Sequence, residues 1–208
     1  NNSSYDMSHI NALVDWNIAS NWHANAEAIY TFANEVQLNG NYWGSYGQSK
    51  KGVNRLNAYG TLERTAKKGV TSLSPYFTRE KEPNYSSNTA DGFVSFESNI
   101  SEYGLQLQHQ HTLNQVKLVG GFDYGVYDYQ SERFEAKGTP TSPYKPNNSH
   151  ADAGIFAQAA YSSNNLDFNV GARFDHFNYH IDANEALKAP AADNVYNTIN
   201  PSLGAQFR

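Results

Sequence analysis

Apolar and polar residues alternate with a period of two along most of the chain, a pattern typical of β-strands with two chemically different faces. The clearest segment is residues 166–175, whose apolar positions are Leu166, Phe168, Val170, Ala172 and Phe174. The same alternation predicts strands over residues 10–18, 22–32, 55–63, 70–78, 116–127 and 153–161. Residues 70–78 give the weakest prediction, because Pro75 lacks the backbone N–H that a sheet interior uses.

Short and long connections alternate between these predicted strands. Short turns fall near residues 20–21, 65–68, 114–115 and 163–165, and long connections span residues 38–52, 80–89, 135–150 and 183–197. An up-and-down outer-membrane barrel places its tight turns at one edge and its long loops at the other. Residues 91–113 must then form a single strand, with a bulge near residues 101–103 where the apolar positions change phase. With a last strand that begins near Asn200, the chain has about nine strands.

The composition favours a sheet with one apolar face and one polar, mostly uncharged face. Hydrophobic residues are 39% and charged residues 17% of the chain, below the roughly 45–50% and 25% of average globular domains. Aromatic residues are 14%, which argues against disorder. Some of them lie near the ends of the apolar faces, where membrane barrels carry aromatic girdles; these are Trp16, Trp22, Tyr30, Tyr124 and Tyr161.

Several classes of function are excluded by the same residues. A net charge of −5 and basic runs of at most two residues argue against a nucleic-acid partner. The absence of cysteine excludes disulfides, thiolate zinc sites and thiol catalysis. Residues 1–4 lack the basic and apolar regions of a signal peptide, so we expect none here, and the sequence has no apolar stretch approaching a transmembrane helix and no nucleotide-binding or nucleophile motif. We therefore expect no enzyme activity, no cofactor and no metal site.

The odd number of predicted strands implies an incomplete barrel. Bacterial single-chain barrels have even strand counts, and an open sheet in lipid would leave backbone groups unpaired at a cost of several kcal/mol each. The fold class that we predict is therefore an all-β, transmembrane, antiparallel up-and-down β-barrel, of which the chain provides about nine strands.

Three stretches of the second half carry a family resemblance. The first is LQLQHQHTL at residues 105–113, which leads into LVGGFDY at residues 118–124. The second is the pair DAGIFAQ at residues 152–158 and LDFNVGARFD at residues 166–175, and the third is NPSLG at residues 200–204. These stretches resemble the barrel of TonB-dependent outer-membrane receptors. Residues 1–100 fit that family only by their alternation.

The resemblance implies that residues 1–208 are part of a 22-stranded barrel whose plug domain and terminal strands are absent. It implies active uptake of a scarce ligand across the outer membrane of a Gram-negative bacterium, driven by the TonB complex acting through the missing plug. A ferric siderophore is the expected ligand, with haem, cobalamin and a glycan as alternatives. The other partner is membrane lipid. A passive porin, an outer-membrane barrel enzyme and a soluble β-sandwich remain the competing interpretations.

In this family the external loops capture ligand, so two sets of loop residues are candidate ligand-binding residues. The first set lies in residues 38–52 and comprises Tyr42, Trp43 and Tyr46, which could stack on a catecholate, porphyrin or sugar. The second set is basic and could attract an anionic ferric chelate; it comprises Arg133 first, with Lys50, Lys51, Lys137 and Lys145. Aromatic residues packing on each other and a solvated basic rim are the structural alternatives.

Three charged residues lie on one face of a predicted strand, because they are separated by even numbers of positions; they are Asp167, Arg173 and Asp175. They could contact the plug or form a ladder of ion pairs along the wall of a wet lumen. Two histidine pairs, His109 with His111 and His176 with His180, have spacings that a metal could use. Neither pair has a third ligand nearby, so neutral histidines at the membrane interface are the preferred interpretation.

Overall fold

A computed structural model describes residues 6–37, 50–87 and 90–207, which form one antiparallel sheet and one short 3₁₀ helix at Glu185–Leu187. Nine strands have 13 or more residues, and β7 has three. The strands are β1 Met7–Ala19, β2 Trp22–Gln37, β3 Lys50–Ala66, β4 Gly69–Tyr85, β5 Val94–Leu113, β6 Val116–Ala136, β7 Thr139–Thr141, β8 Asn148–Ser162, β9 Leu166–Ile181 and β10 Ala192–Phe207. In this described part of the chain, no helix is long and apolar enough to span a membrane.

Each long strand pairs with the next one along the chain, in the order β1-β2-β3-β4-β5-β6-β8-β9-β10, while β7 folds back onto β6. The sheet is open, with β1 and β10 at its two edges. The four short turns lie where the sequence predicts them, and Asn114 has the positive φ of 53° that a tight turn uses. We call the edge with these turns the short-turn end and the opposite edge the long-loop end.

One row of cross-strand neighbours shows how completely the apolar face is separated from the polar face. The registers of the eight strand pairs connect nine apolar side chains, one from each long strand. The row is Trp16, Ala24, Leu62, Leu73, Leu107, Phe122, Ile155, Phe174 and Ile199. A one-residue slip in any pair would move a strand's apolar side chains to the opposite face. The alternation therefore fixes the register of the whole sheet.

Burial and exposure differ between the two faces. The five predicted girdle aromatics lie on the apolar face, and each is at least 36% exposed. Apart from Pro83, the buried side chains lie on the polar face, most of them toward the long-loop end; they are Ala33, Glu80, Ser98, Tyr129, Ser131 and Asp175. Within the described residues the sheet packs against no second layer, so the apolar face needs an apolar environment of its own.

The predicted bulge near residues 101–103 is wrong. The single strand is confirmed as β5, but its register against β4 and β6 is continuous through these residues, and the shift against β4 lies near Ser95. The apolar phase changes because Phe96 and Ile100 lie on the polar face, opposite Arg133 and Tyr129 of β6. The polar face therefore carries apolar side chains toward the long-loop end, while β5 itself runs through residues 101–103 as a regular strand.

The long connections are shorter than predicted because the strands continue past the apolar rows. Residues 80–85 belong to β4, residues 135–136 to β6, and residues 192–197 to β10. Prolines occur inside β4 without ending it. Pro75 and Pro83 pair with β5, while the pairing with β3 skips both positions without a change of register. Each proline, which lacks a backbone N–H, thus interrupts the pairing of β4 with β3 and leaves the pairing with β5 intact.

Candidate functional site

Aromatic and basic side chains meet on the polar face at the long-loop end. The ring of Tyr144 lies 5.5 Å from that of Phe96, and the Arg133 guanidinium lies 4.5 Å from the Tyr144 ring centroid. Next to them the Lys145 ammonium lies 3.7 Å from the Tyr129 ring centroid. We call these five residues the rim cluster. Tyr144 is 68% exposed and Tyr129 only 7%, so the cluster has a buried base and an exposed tip.

The loop between β6 and β8 places Tyr144 and Lys145 over the polar face. Its first residues turn back at Gly138, whose φ of 74° requires glycine, and β7 then pairs with the end of β6. Its last residues are held by the Asn147 side chain, which accepts a hydrogen bond of 2.9 Å from the Ser131 backbone N–H. Because both ends of the loop are bonded to β6, the segment between them lies across the polar face.

A row of stacked rings continues the aromatic surface across three strands. Tyr127, His150 and Tyr179 are cross-strand neighbours on β6, β8 and β9. The first two ring centroids are 4.8 Å apart at an interplanar angle of 20°, and the next two are 5.9 Å apart at 8°. We call these three residues the tyrosine row. Together with the rim cluster it provides aromatic faces and edges to which a flat ligand could stack.

Lower on the polar face, Arg173 binds two carboxylates. Its Nη1 and Nη2 donate to Asp123 at 2.7 and 2.6 Å, and its Nε donates to Asp175 at 2.6 Å. Asp123, Gly154 and Asp175 are neighbours in one row, so the guanidinium lies over a position without a side chain. A bidentate pair of this kind fixes the orientation of the side chain as well as its charge. We call Asp123, Arg173 and Asp175 the ion-pair cluster.

Asp167 shares the strand face of Arg173, as the sequence predicts, but it does not join this cluster. Six residues of extended strand separate the two positions, about 20 Å. Asp167 instead accepts a hydrogen bond from the Ser162 hydroxyl near the short-turn end. The third member is Asp123, which is 50 positions away in sequence.

Five further candidate ligand-binding residues belong to residues 38–52, the first predicted long connection. Tyr42, Trp43 and Tyr46 lie outside the described residues, and their role stays a prediction. Lys51 forms a 3.1 Å ion pair with Glu82, and the Lys50 ammonium lies 5.4 Å from the Tyr85 ring centroid.

The two histidine pairs lie on the same face of the sheet as the apolar rows. The rings of His109 and His111 stack at 6.0 Å, and His180 contacts Asp182 and Asp193 at 3.2 and 2.6 Å. Over residues 6–37, 50–87 and 90–207, no group of three or more His, Cys, Asp or Glu side chains has a geometry that could hold a metal ion.

The whole chain matches one family model. The model is described as TonB dependent receptor-like, beta-barrel, and it matches residues 1–208. The chain belongs to the TonB-dependent receptor family. Receptors of this family reside in the outer membrane of Gram-negative bacteria.

Solved structures of TonB-dependent receptors have the same sheet. The receptor segment is similar to the unliganded ferric citrate transporter FecA with a TM-score of 0.72 and 11% identity, over 99% of this chain and 34% of that chain. The copper transporter OprC gives 0.72 and 13%, over 98% and 34%. The ferric preacinetobactin receptor BauA from Acinetobacter baumannii gives 0.69 and 8%, over 96% and 37%. At such identities the likeness shows the fold alone.

The receptor segment spans about a third of the length of these solved chains. No curated protein sequence matches it. The family to which the segment belongs is a family of receptors and not of enzymes.

Sequence reasoning missed most aromatic members of the receptor's polar face. Arg133 and Lys145 were expected at the loop bases, but Tyr144 and the tyrosine row were not. A signal for these tyrosines was present, because Tyr127 and Tyr129 occupy alternate positions on the polar face of β6. The contacts of Tyr144 depend on the path of the loop, which no periodicity predicts.

Proposed function

We propose that the chain is part of an outer-membrane receptor that captures an anionic metal chelate at the long-loop end and imports it with energy from the TonB complex. A ferric siderophore is the ligand class. The rim cluster carries this proposal, because it presents an exposed aromatic ring and two cations within one small surface.

The chemistry of the rim cluster matches such a ligand. Siderophores chelate iron through catecholate, hydroxamate or carboxylate oxygens, so the complexes are compact, commonly anionic and often aromatic. A guanidinium can donate two parallel hydrogen bonds to such oxygens. The exposed face of Tyr144 can stack on an aryl ring, and the flanking cations increase the encounter rate with an anion.

The orientation follows from the two faces and the two kinds of turn. The apolar face fits lipid, and the polar face fits a lumen filled by water and by a plug domain. Long loops on the outer surface and short turns toward the periplasm are the rule for outer-membrane barrels. In this orientation the rim cluster lies on the inner wall near the outer opening, and the ion-pair cluster lies deeper, where a plug would contact the wall.

The names of the structural neighbours support a metal-bearing ligand. FecA is a ferric citrate transporter, OprC a copper transporter and BauA a ferric preacinetobactin receptor. Identities of 8–13% are too low to transfer any one of these ligands. Haem, cobalamin and glycans therefore belong in the test as competing ligands.

Uptake in matched host strains tests the proposal. The full-length protein would be expressed in a Gram-negative host that lacks its own ferric receptors, with and without TonB. Cells would receive radioactive iron chelated by citrate, by a catecholate or by a hydroxamate, and separately haem, cobalamin or an oligosaccharide. We expect accumulation of at least one ferric chelate, and only in the strain with TonB. Uptake that is independent of TonB, together with ion conductance of the purified protein in planar bilayers, would identify a porin instead.

A further inference from the structure

The apolar face has a hollow of about 810 Å³ close to the short-turn end. Its floor is formed by small residues, Gly120, Ala157, Ala159 and Ala172. The neighbouring cross-strand rows of the same face carry large side chains. Phe122 and Phe174 lie on the side of the long-loop end, and Tyr161 and Phe168 lie on the side of the short-turn end.

One wall of the hollow is polar although the face is otherwise apolar here. His109 and His111 line it with their stacked rings. Thr71 fixes the His109 ring through a 2.8 Å hydrogen bond between its hydroxyl and Nδ1. An apolar floor beside a polar wall suits an amphiphile, whose tail needs the floor and whose head group needs hydrogen-bonding partners.

Next to this wall lies a group of cations. Arg64 is in the same cross-strand row as Thr71 and His109, and Lys67 and Lys68 form the turn that follows β3. In the described part of the chain none of the three has a carboxylate within 4.0 Å. The guanidinium of Arg64 lies 5.8 Å from the ring centroid of Trp22. Among the described residues, the short-turn end thus has positive charge beside the hollow without a protein carboxylate in contact with it.

We propose that this surface is a binding site for an anionic phospholipid of the membrane leaflet at the short-turn end. One acyl chain occupies the hollow, and the phosphate head group is bound by Arg64, Lys67 and Lys68 beside the two histidines. The cations supply the charge selectivity and the small residues supply the shape. The proposal rests on the membrane orientation given above, but it requires neither the siderophore nor TonB.

Native mass spectrometry of the full-length protein tests this site. The protein would be released from bilayers of equal amounts of phosphatidylglycerol and phosphatidylethanolamine, and the retained lipids counted. A basic residue near a membrane surface favours anionic lipid by about fivefold, so we expect retention of phosphatidylglycerol over phosphatidylethanolamine by at least that ratio. The triple variant Arg64→Gln, Lys67→Gln, Lys68→Gln should retain the two lipids equally.

Two further variants separate the head-group contacts from the hollow. Arg79→Gln removes a cation from the same face farther toward the long-loop end and should leave the preference unchanged. Ala159→Leu fills the hollow and should reduce retention of both lipids. The heat-dependent gel mobility of the folded barrel would show that each variant has assembled.

Equal retention of the two lipids by the wild-type protein would overturn the proposal. Lipopolysaccharide as the retained species, or a lipid-free dimer, would overturn it as well. The uptake experiment is independent, because the triple variant leaves the polar face intact and should import the ferric chelate normally. A protein that keeps the lipid preference but imports no ligand would refute the proposed function and leave the lipid site standing.

Discussion

Val170→Arg is the substitution that most directly probes the assignment of the two faces. Val170 is the middle apolar position of β9, between Leu166 and Phe174, and it is 44% exposed in the open sheet. The eight residue steps from 166 to 174 cover about 26 Å along a strand, or about 20 Å of depth at a tilt of about 40°. Val170 then lies about 10 Å from either edge of the apolar band. An arginine there should cost about 2–4 kcal/mol of folding free energy.

The control is the adjacent position on the polar face. Asn169 lies between Ala160 of β8 and Gly204 of β10, so an arginine there points away from lipid. Asn169→Arg should change the free energy by no more than about 0.5 kcal/mol, as at other wet surface positions. Denaturant titrations of the full-length protein in lipid bilayers would measure both variants. Equal losses at the two positions would refute the separation of a lipid face from a lumen face, and Phe168→Arg should behave like Val170→Arg.

Three other predictions concern the polar face and the loops. Gly154→Ala should destabilise the barrel by about 1–3 kcal/mol, because the new Cβ would lie 2.5 Å from a carboxylate oxygen of Asp123. In the same titrations Gly120→Ala should be nearly neutral, because its Cβ would lie 3.5 Å from the nearest described neighbour, the Phe156 backbone oxygen. Lys145→Gln should weaken whole-cell binding of the ferric chelate by about fivefold. Lys137→Gln should not, because among the residues that the structure describes Lys137 has no aromatic partner. Equal effects of the two substitutions would reduce the rim cluster to a diffuse basic surface. The first long loop contains three aromatic residues, Tyr42, Trp43 and Tyr46. Replacing them with alanine should weaken binding of the ferric chelate by about 1–3 kcal/mol for each ring without loss of barrel assembly. Unchanged affinity would assign these aromatics to loop packing.

The number and order of the long strands could be predicted from the sequence because two independent signals agree. Alternation places the apolar rows, and the alternation of short and long connections forces residues 91–113 into one strand. Both signals come from neighbours in the sequence, and the structure confirms them in β5 and in the order of the sheet. The strand ends were not predictable in the same way, because β4 and β10 continue beyond the apolar rows.

The polar face was harder to predict because its contacts join distant positions. Arg173 was expected to pair within its own strand, and it does so with Asp175, but its bidentate partner Asp123 comes from β6. That contact exists only because Gly154 leaves space between them. Likewise, Phe96 suggested a bulge because its aromatic ring contradicts the alternation. Its partner Tyr144 lies on a loop, and only the folded structure shows why an aromatic residue faces inward there.

The orientation of the sheet in the membrane decides whether the rim cluster can meet a ligand from outside, so its direct measurement is the sharpest test. Residues 1–208 have no cysteine, so in full-length protein whose remaining residues are also free of cysteine, single cysteines can be introduced at Lys137, beside the long-loop end, and at Asn164, in a short turn. Intact cells that express each variant of the full-length protein would be treated with a membrane-impermeant maleimide, and permeabilised cells would serve as the control. The proposed orientation predicts labelling of Lys137→Cys in intact cells and of Asn164→Cys only after permeabilisation. Labelling of Asn164→Cys in intact cells, with Lys137→Cys protected, would contradict it.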